Sequence, residues 1–308
     1  MGAVVILGVF VADTSYRAAR MPRMGETILG QGFALGPGGK GSNQAVAVAR
    51  LGAEVHLITR LGDDAFAGMA RETWDAAGVR PAVVRDPESY TGAAFIFVDA
   101  GSGDNAIIIS PGAAARITPA DLDAEAALIR GASVFMTQLE QPLDAAVRGL
   151  EIARAAGVTT ILNPAPAADL PDAMLGLCDW VTPNESEAAS LSGLPVESES
   201  AARVAADLLV ARGAGGVVMT LGAKGALVHA PGVSELVPAM PGGPVVETTG
   251  AGDAFNGGFA AGLAEGLSPI EAARLGAATA GMSITRPGTA PSMPTRAEVE
   301  ALLARSGI

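Results

Sequence analysis

Short apolar runs rich in β-branched residues alternate along the chain with longer stretches of helical periodicity. Such runs are typical of buried parallel strands, and strands are predicted at 4–7, 55–59, 134–136, 159–162 and 216–220. Helices are predicted at 63–77, 119–130, 143–156, 201–212 and 251–265, and another is predicted to start near Asn43. This alternation indicates right-handed βαβ units, and therefore an α/β fold with a three-layer, doubly wound, mostly parallel sheet.

Two segments, at about 13–40 and 90–114, break this alternation. Their residues alternate in β fashion around Gly and Pro, which is typical of strands in a small sheet. Both flank one βαβ stretch early in the chain, so we predict a small β lid over the carboxyl edge of the main sheet, where α/β proteins bind ligands. Edge strands of the main sheet are the alternative. The whole chain, 1–308, is expected to be a single domain.

The composition narrows the possible functions. The chain has 308 residues, 49% of them hydrophobic, and a formal net charge of −12, which argues against nucleic-acid binding because phosphate backbones are bound by clustered Lys and Arg. The single cysteine, Cys178, excludes a disulfide framework and is expected to be a buried small hydrophobe. No apolar run is long enough to span a membrane. With a single cysteine and no such run, we expect a cytoplasmic protein. The two histidines, His56 and His229, are expected to have structural roles.

The stretch Thr-Thr-Gly-Ala-Gly-Asp-Ala-Phe at 248–255 carries the strongest chemical signal. Its glycines allow a tight turn at the start of an apolar helix, where free backbone N–H groups form an anion hole. Asp253, just inside the first turn of that helix, is placed to act as a general base beside a phosphoryl group. Alternatively, Gly250 and Gly252 provide tight packing, and Asp253 merely suits the helix dipole.

A second glycine run, Gly-Pro-Gly-Gly-Lys-Gly-Ser-Asn-Gln at 36–44, precedes another helix. Its N–H groups can approach a polar ligand closely, and Lys40 and Asn43 can reach hydroxyl or phosphate groups. The spacing is not that of a Walker A loop. A structural turn capped by Ser42 is the alternative interpretation.

A third signal, Thr-Pro-Asn-Glu-Ser-Glu at 182–187, follows an apolar strand and opens a helix. Asn184 and Glu187 are one turn apart on the same helix face. An amide and a carboxylate there can hold the water shell of Mg²⁺, which needs few protein ligands. The same pair also fits a capping box.

Taken together and in this order, these three motifs resemble the PfkB carbohydrate kinases. Further stretches resemble the ribokinases within that family, at 24–27, 38–49, 138–140, 162–167, 182–187, 220–225 and 285–292. The resemblance covers almost the whole chain and implies a ribokinase-like fold. It also implies an ATP-dependent enzyme in which Asp253 is the catalytic base and the amides of Gly250, Ala251 and Gly252 stabilise the transferring phosphoryl group.

The resemblance also implies the binding residues. Those at sugar-contacting positions are Val11, Asp13, Gly38, Gly39, Lys40, Asn43, Glu140 and Asp253. Those at nucleotide positions are Asn184, Thr220, Leu221, Gly222, Ala223, Lys224, Gly225 and Gly252, and Glu187 would organise Mg²⁺. A monovalent cation that activates the enzyme, K⁺, is implied at Glu247, Thr249, Ser283, Arg286, Gly288 and Ser292.

The chain departs from the ribokinase pattern at two of these positions. Glu247 stands where the family usually has Asp, and the extra methylene shifts the carboxylate. Val11 stands where ribokinases typically have an Asn that helps to bind the ribose hydroxyls, and deoxyribokinase-like members have an apolar residue there. A site without that polar partner no longer favours the hydroxyl.

The resemblance predicts phosphorylation of D-ribose at O5, with ATP and Mg²⁺. A kinase for 2-deoxyribose or another sugar or nucleoside is the first alternative, and a catalytically silent sugar- or nucleotide-binding protein is the second. A dinucleotide-binding oxidoreductase is disfavoured because no Gly-x-Gly-x-x-Gly follows the first strand. Exposed lid edges predict a two-fold homodimer.

Overall fold

The computed structural model describes residues 2–306; residues 1, 307 and 308 of the expected domain lie outside the described residues. The strands are β1 Val4–Leu7, β2 Val11–Ala18, β3 Gly32–Gly38, β4 Val55–Leu61, β5 Arg80–Arg85, β6 Thr91–Asp99, β7 Asn105–Gly112, β8 Val134–Thr137, β9 Thr159–Leu162, β10 Trp180–Val181, β11 Val217–Thr220, β12 Ala226–Ala230 and β13 Val233–Val237. The helices are α1 Lys40–Arg50, α2 Ala65–Ala77, α3 Pro119–Ala124, α4 Ala126–Arg130, α5 Leu143–Ala155, α6 Asp172–Leu175, α7 Glu185–Ser192, α8 Glu199–Ala211, α9 Ala251–Ala264, α10 Pro269–Ser283 and α11 Arg296–Arg305.

The main sheet is built around the apolar strand β1. Its nine strands lie in the order β13-β12-β11-β10-β9-β8-β1-β4-β5. Neighbours from β11 to β5 pair in parallel, whereas β12 and β13 form an antiparallel edge. The predicted α/β class with a mostly parallel sheet is confirmed.

Alternation of side chains along β1 produces the three layers. Val4 and Ile6 belong to a core shared with α1, α2, α9 and α10, whereas Val5 and Leu7 belong to a core shared with α3, α4, α5 and α8. Successive side chains of a strand point to opposite faces, so a fully apolar strand is buried between two helical layers.

The segments at 13–40 and 90–114 form a sheet of their own, with the order β3-β2-β6-β7. β2 pairs antiparallel with β3 and parallel with β6, so these strands are not edges of the main sheet. β2 begins at Val11, soon after β1 ends at Leu7. The small sheet is therefore attached at the carboxyl end of the central strand.

Several predicted boundaries were wrong. α1 begins at Lys40 and not near Asn43, and the helix expected at 119–130 is divided into α3 and α4. α2 begins two residues late because Asp64 caps it, its carboxylate accepting a bond from the Ala67 N–H at 2.9 Å. Cys178 is buried as expected, and burial raises the pKa of its thiol to about 12. Among the described helices, none combines the length and apolarity required to cross a membrane.

Candidate active site

Asp253 lies in the first turn of α9, which begins directly after Gly250. Gly250 has a φ of 83°, in the left-handed region that favours glycine, and a Cβ there would lie 3.3 Å from Thr289. The side chain of Asp253 is buried, with 6% exposure. Its carboxylate accepts bonds from Asn43 Nδ2 at 2.9 Å and from Gln44 Nε2 at 3.1 Å. The predicted base and the predicted anion hole therefore adjoin each other, with two amide groups holding the carboxylate.

The turn before α1 requires glycine. Gly39 has a φ of 88°, and a Cβ there would lie 2.5 Å from the Val9 carbonyl oxygen. The N-cap residue of α1 is Gly39, so no side chain caps this helix and Ser42 lies inside its first turn. The capping role weighed for Ser42 is therefore wrong; its hydroxyl instead accepts a bond from Trp74 Nε1 at 2.9 Å. The turn brings the backbone of α1 to the end of β1.

Two acidic side chains flank this turn. Glu140 Oε2 accepts a bond from the backbone N–H of Lys40 at 2.8 Å. Asp13, on β2, lies against Gly38, where a Cβ would come within 2.2 Å of its Oδ2. Gly38 is thus needed to admit the Asp13 carboxylate, and the two acids join Lys40 in the same site as Asp253.

The electrostatics of these groups are coupled. Burial raises the pKa of Asp253, while Lys40 and the amides of Asn43 and Gln44 oppose that rise. The Asp253 carboxylate in turn raises the pKa of Lys40, which remains a cation. Burial, with Asp253 and Glu247 nearby, raises the pKa of Asp13 to about 6.

Glu140 also titrates near neutrality. Burial raises its pKa to about 7, against the opposing effect of Lys40 and its backbone N–H. The site therefore places the Lys40 cation among several partly or fully buried carboxyl groups. Such groups can hold or exchange protons near neutral pH.

Asn184 and Glu187 form the capping box at the start of α7. Asn184 Oδ1 accepts the Glu187 N–H at 2.8 Å, and Glu187 Oε2 accepts the Asn184 N–H at 2.9 Å. The two residues therefore form the capping box that was considered from the sequence. Burial raises the pKa of Glu187, and Lys40 and Asp253 lie close enough to affect it. The capping bond uses Oε2 and leaves Oε1 of Glu187 outside it.

The residues expected to line a nucleotide follow β11. Thr220 forms a bridge with Asn184, which places the loop beside the start of α7. Gly222–Lys224 makes a 3-10 turn, closed by a bond from the Leu221 N–H to the Gly225 carbonyl at 2.8 Å. Gly225 has a φ of 108°, and a Cβ there would meet the Val237 carbonyl at 2.0 Å. Ala223 and Lys224 are exposed. The loop thus offers backbone groups and the exposed Lys224 cation to solvent.

Most residues expected around a monovalent cation lie in one region beside the start of α9. Glu247 Oε2 accepts the Gly288 N–H at 2.8 Å. The hydroxyls of Ser283 and Ser292 are buried and donate to the carbonyls of Ala280 and Thr289, at 2.9 and 2.8 Å. The guanidinium of Arg286 pairs with Glu298, and Thr249 is exposed. Within residues 2–306, no three His, Cys, Asp or Glu side chains gather into a metal-binding cluster.

Sequence reasoning assigned no role to three buried amides behind Asp253, at Gln44, Gln138 and Asn163. The available signal was positional: Gln138 and Asn163 each follow directly after an apolar strand, β8 or β9. Val11, which was expected at the sugar, is 3% exposed and belongs to an apolar core cluster. His56 and His229 bond to nearby side chains, Glu54 and Asp207 respectively.

Comparison with known proteins agrees with this architecture. The profile described as pfkB family carbohydrate kinase matches residues 1–296. The chain is similar to a ribokinase of Haemophilus influenzae, at 38% identity over 294 residues and 95% of each chain. It is similar to a deoxyribokinase of Salmonella typhi, at 35% identity over 294 residues and 95% of each chain. Among solved structures, an Arabidopsis thaliana ribokinase complexed with ribose and ATP has a TM-score of 0.93 at 32% identity, with 98% of both chains covered.

The matched region includes all three motifs and every strand of both sheets. Since the match extends over nearly the whole chain in sequence and in structure, the chain belongs to the pfkB family of carbohydrate kinases.

Proposed function

We propose that the protein is an ATP-dependent ribokinase that phosphorylates D-ribose at O5 to give D-ribose 5-phosphate. One observation carries this proposal: the buried Asp253 carboxylate adjoins the N-terminus of α9 in the same pocket as Asp13, Lys40 and Glu140. The relatives named above include a ribokinase and a ribokinase structure with ribose and ATP bound. Carboxylate and amide groups suit a sugar because each hydroxyl both donates and accepts.

In this mechanism Asp253 accepts the proton of the sugar's primary hydroxyl as that oxygen attacks the terminal phosphorus. The N–H groups at the start of α9 stabilise negative charge on the transferring phosphoryl group. Lys40 offsets part of the negative charge in the pocket, because its ammonium lies close enough to interact with Asp253, Glu140 and Glu187. Burial raises the pKa of Asp253, which makes the carboxylate a stronger base toward the sugar hydroxyl.

The nucleotide would lie along the loop at 220–225, with Asn184 and Glu187 at its phosphates. Glu187 fits an Mg²⁺ role because one of its carboxylate oxygens is outside the capping bond, and the ion retains most of its waters. When bound, Mg²⁺ supplies neutralisation of the phosphate charge. A monovalent cation, K⁺ in this proposal, would use Glu247 and carbonyl groups of the adjoining loop.

The small sheet would act as a lid that closes over the sugar and excludes water. Its outer strands expose large apolar side chains, with Phe33 62% and Ile108 63% exposed. Apolar surface on a sheet edge suits pairing with a second copy of the chain. We therefore propose a homodimer formed through the lid, working in the cytoplasm.

The test of the proposal is Asp253→Asn, with Asp104→Asn on the lid as the matched control. We expect turnover of ribose to fall by about 10²- to 10⁴-fold, since general base catalysis contributes that much, while ATP binding stays near normal. The control should retain wild-type turnover. Unchanged activity in Asp253→Asn would remove the proposed base, and an inactive wild-type protein that still binds sugar and ATP would favour a silent binding protein.

A second sugar, 2-deoxyribose, is favoured by one specific observation. Val11 is buried and lies two residues before Asp13 on β2, so both are on the same face of that strand. An apolar position cannot hydrogen-bond a hydroxyl, and apolar pockets discriminate against an added hydroxyl by only about 10²-fold. We expect Val11→Asn to raise the ratio of kcat/KM for ribose over 2-deoxyribose, with Val98→Asn, elsewhere in the lid sheet, as the control. An unchanged ratio would show that Val11 does not face the sugar.

A further inference from the structure

Three buried amides connect the main sheet to Asp253. Gln44 lies on α1, while Gln138 and Asn163 follow β8 and β9. Gln44 and Gln138 have no exposed surface, and Asn163 has 6%. Buried amides need a structural explanation, because their polar atoms depend on protein partners for hydrogen bonds. We call these three residues the amide relay.

The relay begins at the backbone. Asn163 Nδ2 donates to the Thr182 carbonyl at 2.9 Å, which fixes the orientation of the Asn163 amide. Its Oδ1 then accepts a bond from Gln44 Nε2 at 3.1 Å. Thr182 follows β10, so the ends of the neighbouring strands β8, β9 and β10 each supply one polar group. The relay is thus anchored on the rigid parallel part of the main sheet.

Gln44 is held at both ends of its amide. Its Oε1 accepts a bond from Gln138 Nε2 at 2.5 Å, and its Nε2 donates to both Asn163 Oδ1 and Asp253 Oδ1. A flipped amide would place its oxygen against two acceptors and its NH₂ group against another NH₂ group. Only one orientation satisfies the set, and it directs an N–H at the Asp253 carboxylate.

The side chain of Gln138 fits between the backbones of two glycines, Gly8 and Gly41. A Cβ at Gly8 would lie 2.7 Å from Gln138 Oε1, and one at Gly41 would lie 2.9 Å from the same atom. Gly8 follows β1 and Gly41 lies in the first turn of α1. The close approach of these two backbones therefore leaves space for the relay and little for its movement.

We propose that Gln44 is a positioning residue for Asp253: the amide relay fixes its N–H so that it orients the carboxylate and favours its ionised form. The inference rests on the proposed role of Asp253 as base. Asn43 holds the other carboxylate oxygen, so the two donors together define the plane of the carboxylate. A base whose plane is fixed presents its remaining lone pairs in one direction, toward the pocket.

Other charged groups also act on Asp253, from each element around the pocket. Lys40 on α1 favours the ionised carboxylate, whereas Glu140 after β8, Asp13 on β2 and Glu187 on α7 disfavour it. These groups are unchanged when only Gln44 is replaced. Loss of the Gln44 donor should then raise the pKa of Asp253, because a hydrogen bond to the charged form favours that form.

The test compares the pH profile of kcat/KM for Gln44→Met with that of wild type. We expect the acid limb to move to higher pH by about one unit, since a hydrogen bond to a charged group is among the stronger ones. On the acid side of the wild-type limb, kcat/KM should fall about 10-fold, with the KM for ATP unchanged. Gln141→Met is the matched control, because this buried amide bonds to Thr137 and the Gln138 carbonyl and not to Gln44. Its acid limb should stay in place.

A loss of kcat that is equal at every pH would overturn the inference, because a purely structural defect does not move the limb. If Gln44→Met fails to fold, Gln138→Met carries the test: it frees the Gln44 amide, and its acid limb should move in the same direction by less. An unmoved limb there overturns the inference equally. In the double variant, adding Gln44→Met to Asp253→Asn should lower kcat by less than twofold, because Gln44 acts through Asp253. If Gln44→Met lowers kcat in Asp253→Asn by the same factor as in the wild type, the positioning role is contradicted.

These outcomes separate the two proposals. If Asp253→Asn remains active, the proposed base fails whatever Gln44 does. If Asp253→Asn is inactive and the limb of Gln44→Met is unmoved, only the positioning role fails.

Discussion

Replacement of Asp13 by Asn should stabilise the ligand-free protein at neutral pH while it removes a group needed for the sugar. Asp13 is partly buried on β2, and burial together with Asp253 and Glu247 raises its pKa from 3.8 to about 6. Folding therefore disfavours the ionised carboxylate. Functional sites commonly retain a group that lowers stability in this way, because the bound substrate, and not the free enzyme, supplies the hydrogen bonds that the carboxylate needs.

The sign of the effect follows from the raised pKa. The favourable contribution of protonated Asp13 is complete below pH 3.8, is lost as the pH rises toward 6, and remains lost above that value. The difference between the two pKa values corresponds to about 3 kcal/mol as an upper limit. Asparagine does not titrate but still loses some hydration on burial, so we expect Asp13→Asn to raise the free energy of unfolding by about 1–2 kcal/mol at pH 7.5.

The assay is urea unfolding of the wild type, Asp13→Asn and the exposed control Asp104→Asn, at pH 4 and pH 7.5. The Asp13 variant should be more stable than wild type at pH 7.5 and close to it at pH 4, whereas the control should match wild type at both. Ribose turnover should fall in the Asp13 variant alone. An equal gain at both pH values, or no gain at pH 7.5, would refute the reasoning.

The remaining predictions concern the turn before α1 and the cation region. Gly39→Ala should lower the free energy of unfolding by about 3 kcal/mol or more, for two reasons: the new Cβ would lie 2.5 Å from the Val9 carbonyl oxygen, and alanine would have to adopt a φ of 88°. Gly25→Ala, with a φ of 79° and no atom within 4 Å, should cost only about 1–2 kcal/mol; equal costs would contradict the clash. Glu247→Gln keeps an oxygen for the Gly288 N–H but loses the charge, so stimulation of turnover by KCl over tetramethylammonium chloride should fall several-fold; unchanged stimulation would contradict a cation at Glu247.

Local patterns predicted the parts of the fold whose burial is uniform. β1, β8 and β9 are short apolar runs buried on both faces, and they were predicted within a residue of their observed bounds. The strands β5 and β13, at the two edges of the main sheet, were not predicted, because edge strands are partly exposed and their polar residues interrupt the apolar run. β12, which pairs with β13, was not predicted either. α10 and α11 were also absent from the prediction.

The candidate site likewise contains residues that local patterns predicted and residues that only long-range packing reveals. Glycines such as Gly39 and Gly250 mark the turns before α1 and α9 by residue type alone, and both have a positive φ. Asn184 and Glu187 were paired correctly, but a capping box and an ion-binding role use the same residues, so spacing could not choose between them. The amide relay depends on contacts such as Gln44 with Asn163, which are far apart in sequence. Only the packing of α1 on the strand ends reveals what those amides do.

The central claim is that Asp253 takes a proton from the sugar's primary hydroxyl. A crystal structure with D-ribose and a non-hydrolysable ATP analogue tests it most directly. The account predicts an Asp253 carboxylate oxygen at about 2.6–3.2 Å from O5 of ribose, with O5 aligned on the terminal phosphorus. An Asp253 side chain turned away from both ligands, or a primary hydroxyl bound elsewhere in the pocket, would contradict it.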